Sequence, residues 1–597
     1  MSLNKKQKKY LRKQLKRKSI NEIATDLNIG TKEIKKYLKK TLKTSKYRRL
    51  LSQAHQAGEK DTLSSKVLAF SLKSFLKKNS LFLISLLVLV FLTYANSINN
   101  EFVSDDIAGI LNNKNLNNFP YIFSSPLRAL RFFQPLLSFT INAIFGKSPA
   151  AFRLVNISLH LGVVLAVFTV IHLLFDKITA FLAACLVAVH PIFIESIAWI
   201  SGGGYVMYSF FIMLTILFYI LTLKNKRFIY LSVGSAILAI TISEKALVLP
   251  LIFLTFIISY KIKFKEWKKL IVITSPALVI ALIFLAKVPE RIQWLQAEYY
   301  QKGKMLNPLV QIPVALTTYL ELLFWPKNLT LYQSETAYSQ GEFLVRVLFL
   351  TAFLGLIVYT YKKNRRLFFW LSLFIISLLP ALTPFGISWI VAERYVYLGA
   401  IGILVVVATT FKKLIDNPKL KPYGLALFGL IIVALMGRTI RRNVDWKNQD
   451  NLWLAAAKTS PSSHQNHNNL GDYYGRQGDF AKAIEEFKIA IELNPGYADA
   501  YHNLGNIYWQ KKEVDPAIQN YQKALEFNPK LWQSHQNLAA IYFSQEKLDL
   551  AQQEMEKAIQ IDPQNSNLYN NLGNVYLKQG NQPKAEEMYQ KAKSNTP

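Results

Sequence analysis

From about Leu81 to Gly437 the chain runs as long apolar stretches broken by short polar or basic loops, and from His464 onward apolar positions recur at helical spacing among polar ones. A hydrocarbon core of roughly 30 Å takes about 17–25 helical residues to cross. Stretches of that kind fall near 79–97, 152–175, 178–198, 205–223, 228–243, 245–260, 270–287, 343–361, 367–383, 395–411 and 422–437, which predicts about eleven membrane spans. A further apolar segment at 309–325 is interrupted by Pro313 and closed by Trp325-Pro326. It is expected to lie along the outer interface without crossing. The predicted organisation is a basic cytoplasmic segment at 1–78, a transmembrane domain at 79–440 and a helical repeat domain at 441–597.

The repeat signal has a fixed period. Asn469-Leu470-Gly471, Asn503-Leu504-Gly505, Asn537-Leu538-Ala539 and Asn571-Leu572-Gly573 stand 34 residues apart, as do Pro461, Pro495, Pro529 and Pro563. Ala483, Ala517, Ala551 and Ala585 keep the same spacing, each followed four positions later by Phe487, Tyr521, Met555 or Tyr589. Small residues let two helices of a hairpin approach, and the larger side chain fills the space between neighbouring hairpins. This is the tetratricopeptide (TPR) pattern, in units starting near His464, Ala498, Trp532 and Ser566. Trp453, Ala456 and Pro461 supply a degenerate half unit ahead of them. Such a solenoid offers a concave groove to a protein or peptide; packing against the membrane domain or self-association is the plainer use.

Charge then fixes an orientation. Of the formal +34, residues 1–78 carry 23 Lys/Arg against 5 Asp/Glu, while residues 464–597 carry 13 against 16. Short loops rich in Lys and Arg face the cytoplasm, and the basic loops here are Lys224 to Arg227, Lys261 to Lys269, Lys362 to Arg366 and Lys412 to Lys421. With the basic N-terminus inside, eleven spans put every one of them inside. The same parity places the C-terminal solenoid, the loop carrying Asp105-Asp106, the loop 288–342 and the segment Pro384 to Tyr395 on the outer face. The expected location is a multi-pass protein of the cytoplasmic (inner) membrane with its TPR domain on the outer, periplasmic side. No cleavable leader is read near the start, and the single cysteine, Cys185, lies inside an apolar run, so disulfides contribute nothing within the chain.

Within the basic segment, Ser19 to Lys40 places Ala24 and Leu27 on one helix, Asn28-Ile29-Gly30 in a turn, and Ile34 with Leu38 on a second helix. That order is helix-turn-helix-like. Its Lys/Arg surroundings suit phosphate charge, either of nucleic acid or of anionic lipid, and also serve simply as an orientation signal.

Ionisable groups near a bilayer are costly unless used, and the adjacent pair Asp105-Asp106 stands just past the first span. On the same predicted face lie Arg128, Arg131, Glu195, Glu244, Lys245, Glu290, Arg291, Glu393 and Arg394, with His160 and His190 within or at the ends of spans. There is no zinc-type His/Cys spacing, no phosphate-cradling Gly-rich loop followed by Lys-Ser/Thr, and no Gly-x-Ser-x-Gly elbow, which argues against ATP hydrolysis and serine-hydrolase chemistry. A carboxylate base and cations at a lipid surface remain. Transfer of a sugar from a polyprenyl phosphate needs a base beside the acceptor hydroxyl and positive charge on the departing phosphate. Asp105 or Asp106 suits the first role and Arg394 the second. The structural alternatives are a helix cap for the Asp pair and an Arg394 that pairs with Glu393 or snorkels to the headgroups.

The series Phe102-Val103-Ser104-Asp105-Asp106, Gln134-Pro135-Leu136, Phe152-Arg153-Leu154-Val155-Asn156 with His160, Ala188 to Gly202, Glu244-Lys245 and Ala392-Glu393-Arg394-Tyr395, followed by TPR units, resembles the transmembrane and TPR-containing O-mannosyltransferase family and its bacterial relatives. These are polytopic glycosyltransferases of the GT-C superfamily. The resemblance runs from about residue 79 to the end and leaves the first 78 residues outside. It implies an all-α fold, a GT-C membrane bundle followed by a TPR α-solenoid. It also implies a lipid-linked, polyprenyl-phosphate sugar donor, inverting transfer, and a catalytic base in the first outer loop, at Asp105 or Asp106. His190 and Glu195 match a His-Pro-x-x-x-Glu stretch expected to shape the site, together with His160, Glu244 and Glu393. Arg394, Lys245, Arg131 and Arg128 are the candidates for the donor phosphate. Many relatives carry Arg where Gln134 stands and a basic residue at the position of Gly203. If those cations hold the phosphate, this chain uses the four just named, or is inactive. Whether a divalent metal sits on Asp105 and Asp106 stays open.

Two functions follow from different classes. One is an outer-face glycosyltransferase acting on a protein Ser/Thr hydroxyl that the TPR groove presents. The other is a non-catalytic, membrane-anchored TPR scaffold. A transporter would carry inverted internal repeats among its spans, and none is seen.

Overall fold

The structure, a computed structural model, describes residues 63–597 apart from 261, 263–266, 287–306, 332, 334–337, 383–390 and 596–597, together with nine isolated positions before residue 63. The helix-turn-helix-like stretch lies largely outside the described residues, although Ile34 and Leu38 are buried. Glu290 and Arg291 lie outside them altogether. Among the described residues there is no β-strand. The chain divides into two compact units, one of 1–305, 351–385 and 394–443, the other of 306–350, 386–393 and 444–597.

The first unit is a helix bundle, and a helix stands at each of the eleven expected spans. Among the described residues six helices are individually long and apolar enough to cross a membrane: Leu72–Ser97, Pro149–Leu174, Gly203–Leu221, Gln340–Lys363, Glu393–Asp416 and Lys421–Asp445. A bent pair, Lys177–Val189 with Pro191–Ala198, makes a seventh. The other expected crossings fall on Phe228–Ile242, Leu249–Tyr260, Trp267–Ala286 and Arg365–Leu378. Local sequence sets the boundaries. Ser148 caps Pro149–Leu174 with Pro149 in its first turn, and the Asp176 carboxylate accepts from the Ile178 and Thr179 N–H groups to cap Lys177–Val189, as short polar acceptors do at helix starts. Pro191 then ends that helix, and the His190 Nδ1 accepts from the Ile192 N–H at 3.2 Å. The chain turns by 54° there and carries Glu195 to the end of the bundle.

Hydrogen bonds between distant segments sort the helix ends into two sets. At one end Lys66 Nζ donates to the Phe175 carbonyl at 2.6 Å, Lys177 Nζ to that of Lys78 at 3.3 Å, Lys269 Nζ to the Thr222 hydroxyl at 3.4 Å and Arg365 to the Ile258 carbonyl at 3.4 Å. At the other, Asn96 donates to the Ile440 carbonyl at 2.9 Å, Asn100 to that of Asn443 at 2.9 Å, and Asn443 to that of Thr93 at 3.0 Å. Each bond joins positions that eleven crossings would leave on the same side. The last bundle helix therefore ends beside the segment that leads into Asp105-Asp106.

The second unit holds the solenoid. A helix over Gln449–Thr459, with Trp453 and Ala456 buried, precedes four hairpins that begin at His464, Ala498, Trp532 and Ser566. The small residues do what the spacing requires: a Cβ added at Gly505 would stand 2.9 Å from the Tyr521 ring, and one at Gly573 would stand 2.5 Å from the Tyr589 ring. Grouped with the solenoid is the 309–325 segment, a helix over Pro308–Phe324 with Pro313 inside it. Arg346 bonds the Thr317 hydroxyl at 3.0 Å and pairs with Glu321 at 2.9 Å. Ser460 meets Thr330 at 3.5 Å.

Candidate active site

The two adjacent carboxylates have different surroundings. Asp106 is fully buried; one oxygen accepts from the Ser201 N–H at 2.8 Å and the Ser201 hydroxyl at 2.5 Å, the other from the Val103 N–H at 3.4 Å. Burial pushes its carboxyl above the ordinary range, with the Ser201 and Val103 bonds and the Arg153 charge pulling the other way. Asp105 is exposed. Between Val103 and this pair, Ser104 adopts φ 53°, a left-handed conformation that costs about 1–3 kcal/mol for a non-glycine residue and persists where surrounding contacts impose it.

Arg153 supplies much of that constraint. Its guanidinium, fully buried in the first turn of Pro149–Leu174, donates to the carbonyls of Ala198 at 2.8 Å, Ile98 at 3.2 Å, Asn100 at 2.5 Å and Glu101 at 3.0 Å. It thereby ties the entry to the Asp loop to the end of the bent span. Neither Arg153 nor Ser201 was assigned a role from the sequence. A charged residue at the head of an apolar helix was a signal for Arg153, and both residues stand inside motifs that carry the resemblance, Arg153 in Phe152 to Asn156 and Ser201 in Ala188 to Gly202.

The segment Glu195–Tyr205 carries the other half of the site. Glu195, fully buried, accepts from the Arg394 N–H at 2.8 Å and pairs with the Arg394 guanidinium, so the partner of Arg394 is Glu195. That guanidinium lies 5.3 Å from the Trp199 ring and 4.9 Å from the Tyr395 ring. Lys245 Nζ donates to the Tyr205 hydroxyl at 2.6 Å and stands 4.2 Å over the Tyr395 ring. Among the described residues no carboxylate lies within ion-pair distance of Lys245. One eleven-residue stretch thus touches the Asp loop through Ser201 and two cations through Glu195 and Tyr205.

The remaining candidates divide. Arg131 and Glu244 form a half-exposed pair at 2.8 Å. Arg128 is exposed, 4.0 Å over the Tyr121 ring and bonded to Ser124 at 2.7 Å. His160 Nδ1 meets the Tyr397 hydroxyl at 2.6 Å, seven residues along the helix from Arg153 and so about 10 Å deeper. His190 caps the bend described above. Glu393 is buried and belongs to the second unit. For a metal on the Asp pair the fit is poor: both Asp106 oxygens already face N–H and O–H donors, and no three metal-binding side chains converge among the described residues.

Position 203 has no room for a Cβ unless the Asn156 side chain shifts. A Cβ there would fall 2.2 Å from Asn156 Oδ1, and one at Gly204 would fall 3.0 Å from Gln134 Oε1. Asn156 is itself held by the carbonyls of Ile197, Trp199 and Ile200 at 3.4–3.5 Å. Gly203→Ala should therefore destabilise by about 1–3 kcal/mol, as overpacking of a fitted core does, and lower the thermal midpoint of the purified chain. An unchanged midpoint contradicts the packing described.

Comparison with known proteins finds repeat models on the C-terminal region and relatives along much of the chain. Residues 468–531, 520–553 and 567–594 match models described as tetratricopeptide repeat, and 540–580 one described as TPR repeat. The chain is 25% identical over 458 residues to protein O-mannosyl-transferase TMTC3 of Mus musculus, a match that covers 67% of this chain and 50% of that protein. It is 25% identical over 460 residues to protein O-mannosyl-transferase F38B6.6 of Caenorhabditis elegans, covering 70% of this chain and 63% of that one. The chain thus spans about half the length of the first of these relatives. Among solved structures, the crystal structure of MamA is 25% identical with a TM-score of 0.23, covering 27% of this chain and 92% of that one.

Proposed function

We propose that this chain, a relative of the transmembrane and TPR-containing protein O-mannosyl-transferases, moves a sugar from a polyprenyl-phosphate donor to a protein Ser/Thr hydroxyl at the outer face of the membrane. The observation that carries the reading is the Glu195–Tyr205 stretch, which links an exposed carboxylate loop to a cation-aromatic cluster. Asp105 takes the proton of the acceptor hydroxyl as its oxygen attacks the anomeric carbon. The bond from that carbon to the phosphate oxygen breaks, configuration inverts, and the polyprenyl phosphate leaves with the electron pair. Lys245, which has no carboxylate within ion-pair distance among the described residues, is the principal contact of that phosphate, and Arg394 the second. Phosphate oxygens need no proton to leave, so positioned cations suffice. Asp106 and Arg153 hold the loop, and the TPR groove presents the acceptor. The two-ended sorting of helix termini supports one common outer face for the loop and the end of the last span.

The test is transfer of radiolabelled sugar from a synthetic polyprenyl-phosphate donor to Ser/Thr-containing protein by the purified chain. Transfer with inverted configuration is expected, and Lys245→Met should raise the donor KM and lower kcat. Labelling that persists unchanged in Lys245→Met removes the phosphate assignment. Absence of transfer to any acceptor, with groove substitutions still abolishing partner capture, favours the scaffold.

A further inference from the structure

At the end of the bundle opposite the Asp loop, an apolar groove of about 440 Å³ runs between the helices Leu72–Tyr94, Pro149–Leu174 and Gly203–Leu221. Phe70 and Phe228 stand at its mouth, and Leu76, Thr169, Phe218 and Leu87 follow along it. Thr169 spends its hydroxyl on the Leu165 carbonyl at 2.8 Å, so the lining makes little polar demand. Leu87 is 50% exposed and Ile84 60% exposed, which opens the groove sideways to the bilayer. From Leu72 to Leu87 is about 22 Å of helix, more than the roughly 15 Å of one leaflet's hydrocarbon. The groove therefore covers both headgroup and chain depth.

The mouth is basic. Lys224 Nζ donates to the Phe70 carbonyl, which sets its ammonium at the rim. Arg227 precedes Phe228, and Lys73 lies in the first turn of Leu72–Tyr94. All three are exposed, and among the described residues no carboxylate lies within ion-pair distance of them. An apolar slot capped by unbalanced cations complements an amphiphile with an anionic head. We propose that this groove is a binding site for one anionic phospholipid of the cytoplasmic leaflet, its acyl chain along Leu76 to Leu87 and its phosphate among Lys224, Arg227 and Lys73. Free phosphate has no use for the slot, and a zwitterionic lipid leaves the cations unbalanced. The site is separate from the proposed transfer site and its test does not depend on sugar transfer.

The experiment is native mass spectrometry of the purified full chain, with phosphatidylglycerol and phosphatidylcholine of matched chains as probes. Phosphatidylglycerol should be retained about tenfold over phosphatidylcholine, in line with the attraction of a few juxtamembrane cations for anionic lipid. Lys224→Ala/Arg227→Ala should bring the ratio near one, and so should Lys73→Ala/Arg227→Ala, which spares the Phe70 bond. Ile84→Trp, filling the slot, should reduce phosphatidylglycerol retention. Lys362→Ala/Lys363→Ala, a basic loop not among the groove's lining, should change nothing. Equal retention of the two lipids, an unchanged ratio in both cation variants, unchanged retention in Ile84→Trp, an equal loss in the Lys362/Lys363 variant, or displacement of phosphatidylglycerol by millimolar inorganic phosphate each overturns the proposal.

Discussion

Asp105→Asn will lower sugar transfer by about 10²–10⁴-fold, the usual contribution of a positioned general base, and leave the thermal midpoint of the chain where it was. Asp105 is exposed and its loss uncovers no buried partner, so its stability effect falls within the roughly 0.5 kcal/mol typical of surface positions. Asp106→Ala will behave in the opposite way. It strands the Ser201 N–H and hydroxyl and the Val103 N–H, all of which the buried carboxylate satisfies, and each group left without a partner costs about 1–3 kcal/mol. The sign of the pH effect separates the two further. Burial raises the Asp106 carboxyl in the folded chain, so the folded state holds that proton to higher pH than the unfolded state. Its contribution is full below the ordinary carboxylate range and is lost as pH rises through the folded value. Asp106→Ala removes that slope and Asp105→Asn keeps it. Transfer within threefold of wild type in a folded Asp105→Asn chain would end the assignment of the base.

That split between neighbours was not legible in the sequence. Positions i and i+1 share charge, type and local pattern, and only the approach of Ser201, 95 residues on, buries one and leaves the other out. The same holds for Lys245 and Tyr205, brought together across 40 residues, and for the choice of Glu195 over the adjacent Glu393 as partner of Arg394. What the sequence did carry was whatever has a period or a length. A 34-residue repeat returns the same small residue to the same tight approach, so the hairpin starts at His464, Ala498, Trp532 and Ser566 could be read directly. Bilayer thickness imposes a minimum apolar length, so a helix stands at each expected span, although six to seven of them meet length and composition limits by themselves. Gly203 illustrates the boundary between these cases. Against the pattern the resemblance implies it reads as a missing cation, and the structure gives it a steric cause in Asn156.

The Glu195–Arg394 pair should produce a stability effect comparable in size to that of Asp106→Ala. Glu195 has no exposed side-chain surface and Arg394 only 12%, so removing either partner leaves a buried, uncompensated charge, a change that costs about 3–5 kcal/mol. Glu195→Leu and Arg394→Met are each expected to lower the thermal midpoint sharply. The double variant should recover most of that loss, since an apolar replacement of a buried pair is often neutral or stabilising. Non-additivity of this size is what a double-mutant cycle measures for groups in direct contact. A double variant no more stable than either single one would show that the pair does not hold Glu195–Tyr205 in place. Activity of the recovered double variant then separates two roles for Arg394. If the guanidinium meets the departing phosphate, the refitted chain stays slow even at saturating donor, with Lys245 as the remaining cation. If it only anchors the stretch, kcat returns together with the midpoint, and the phosphate is left to Lys245 alone.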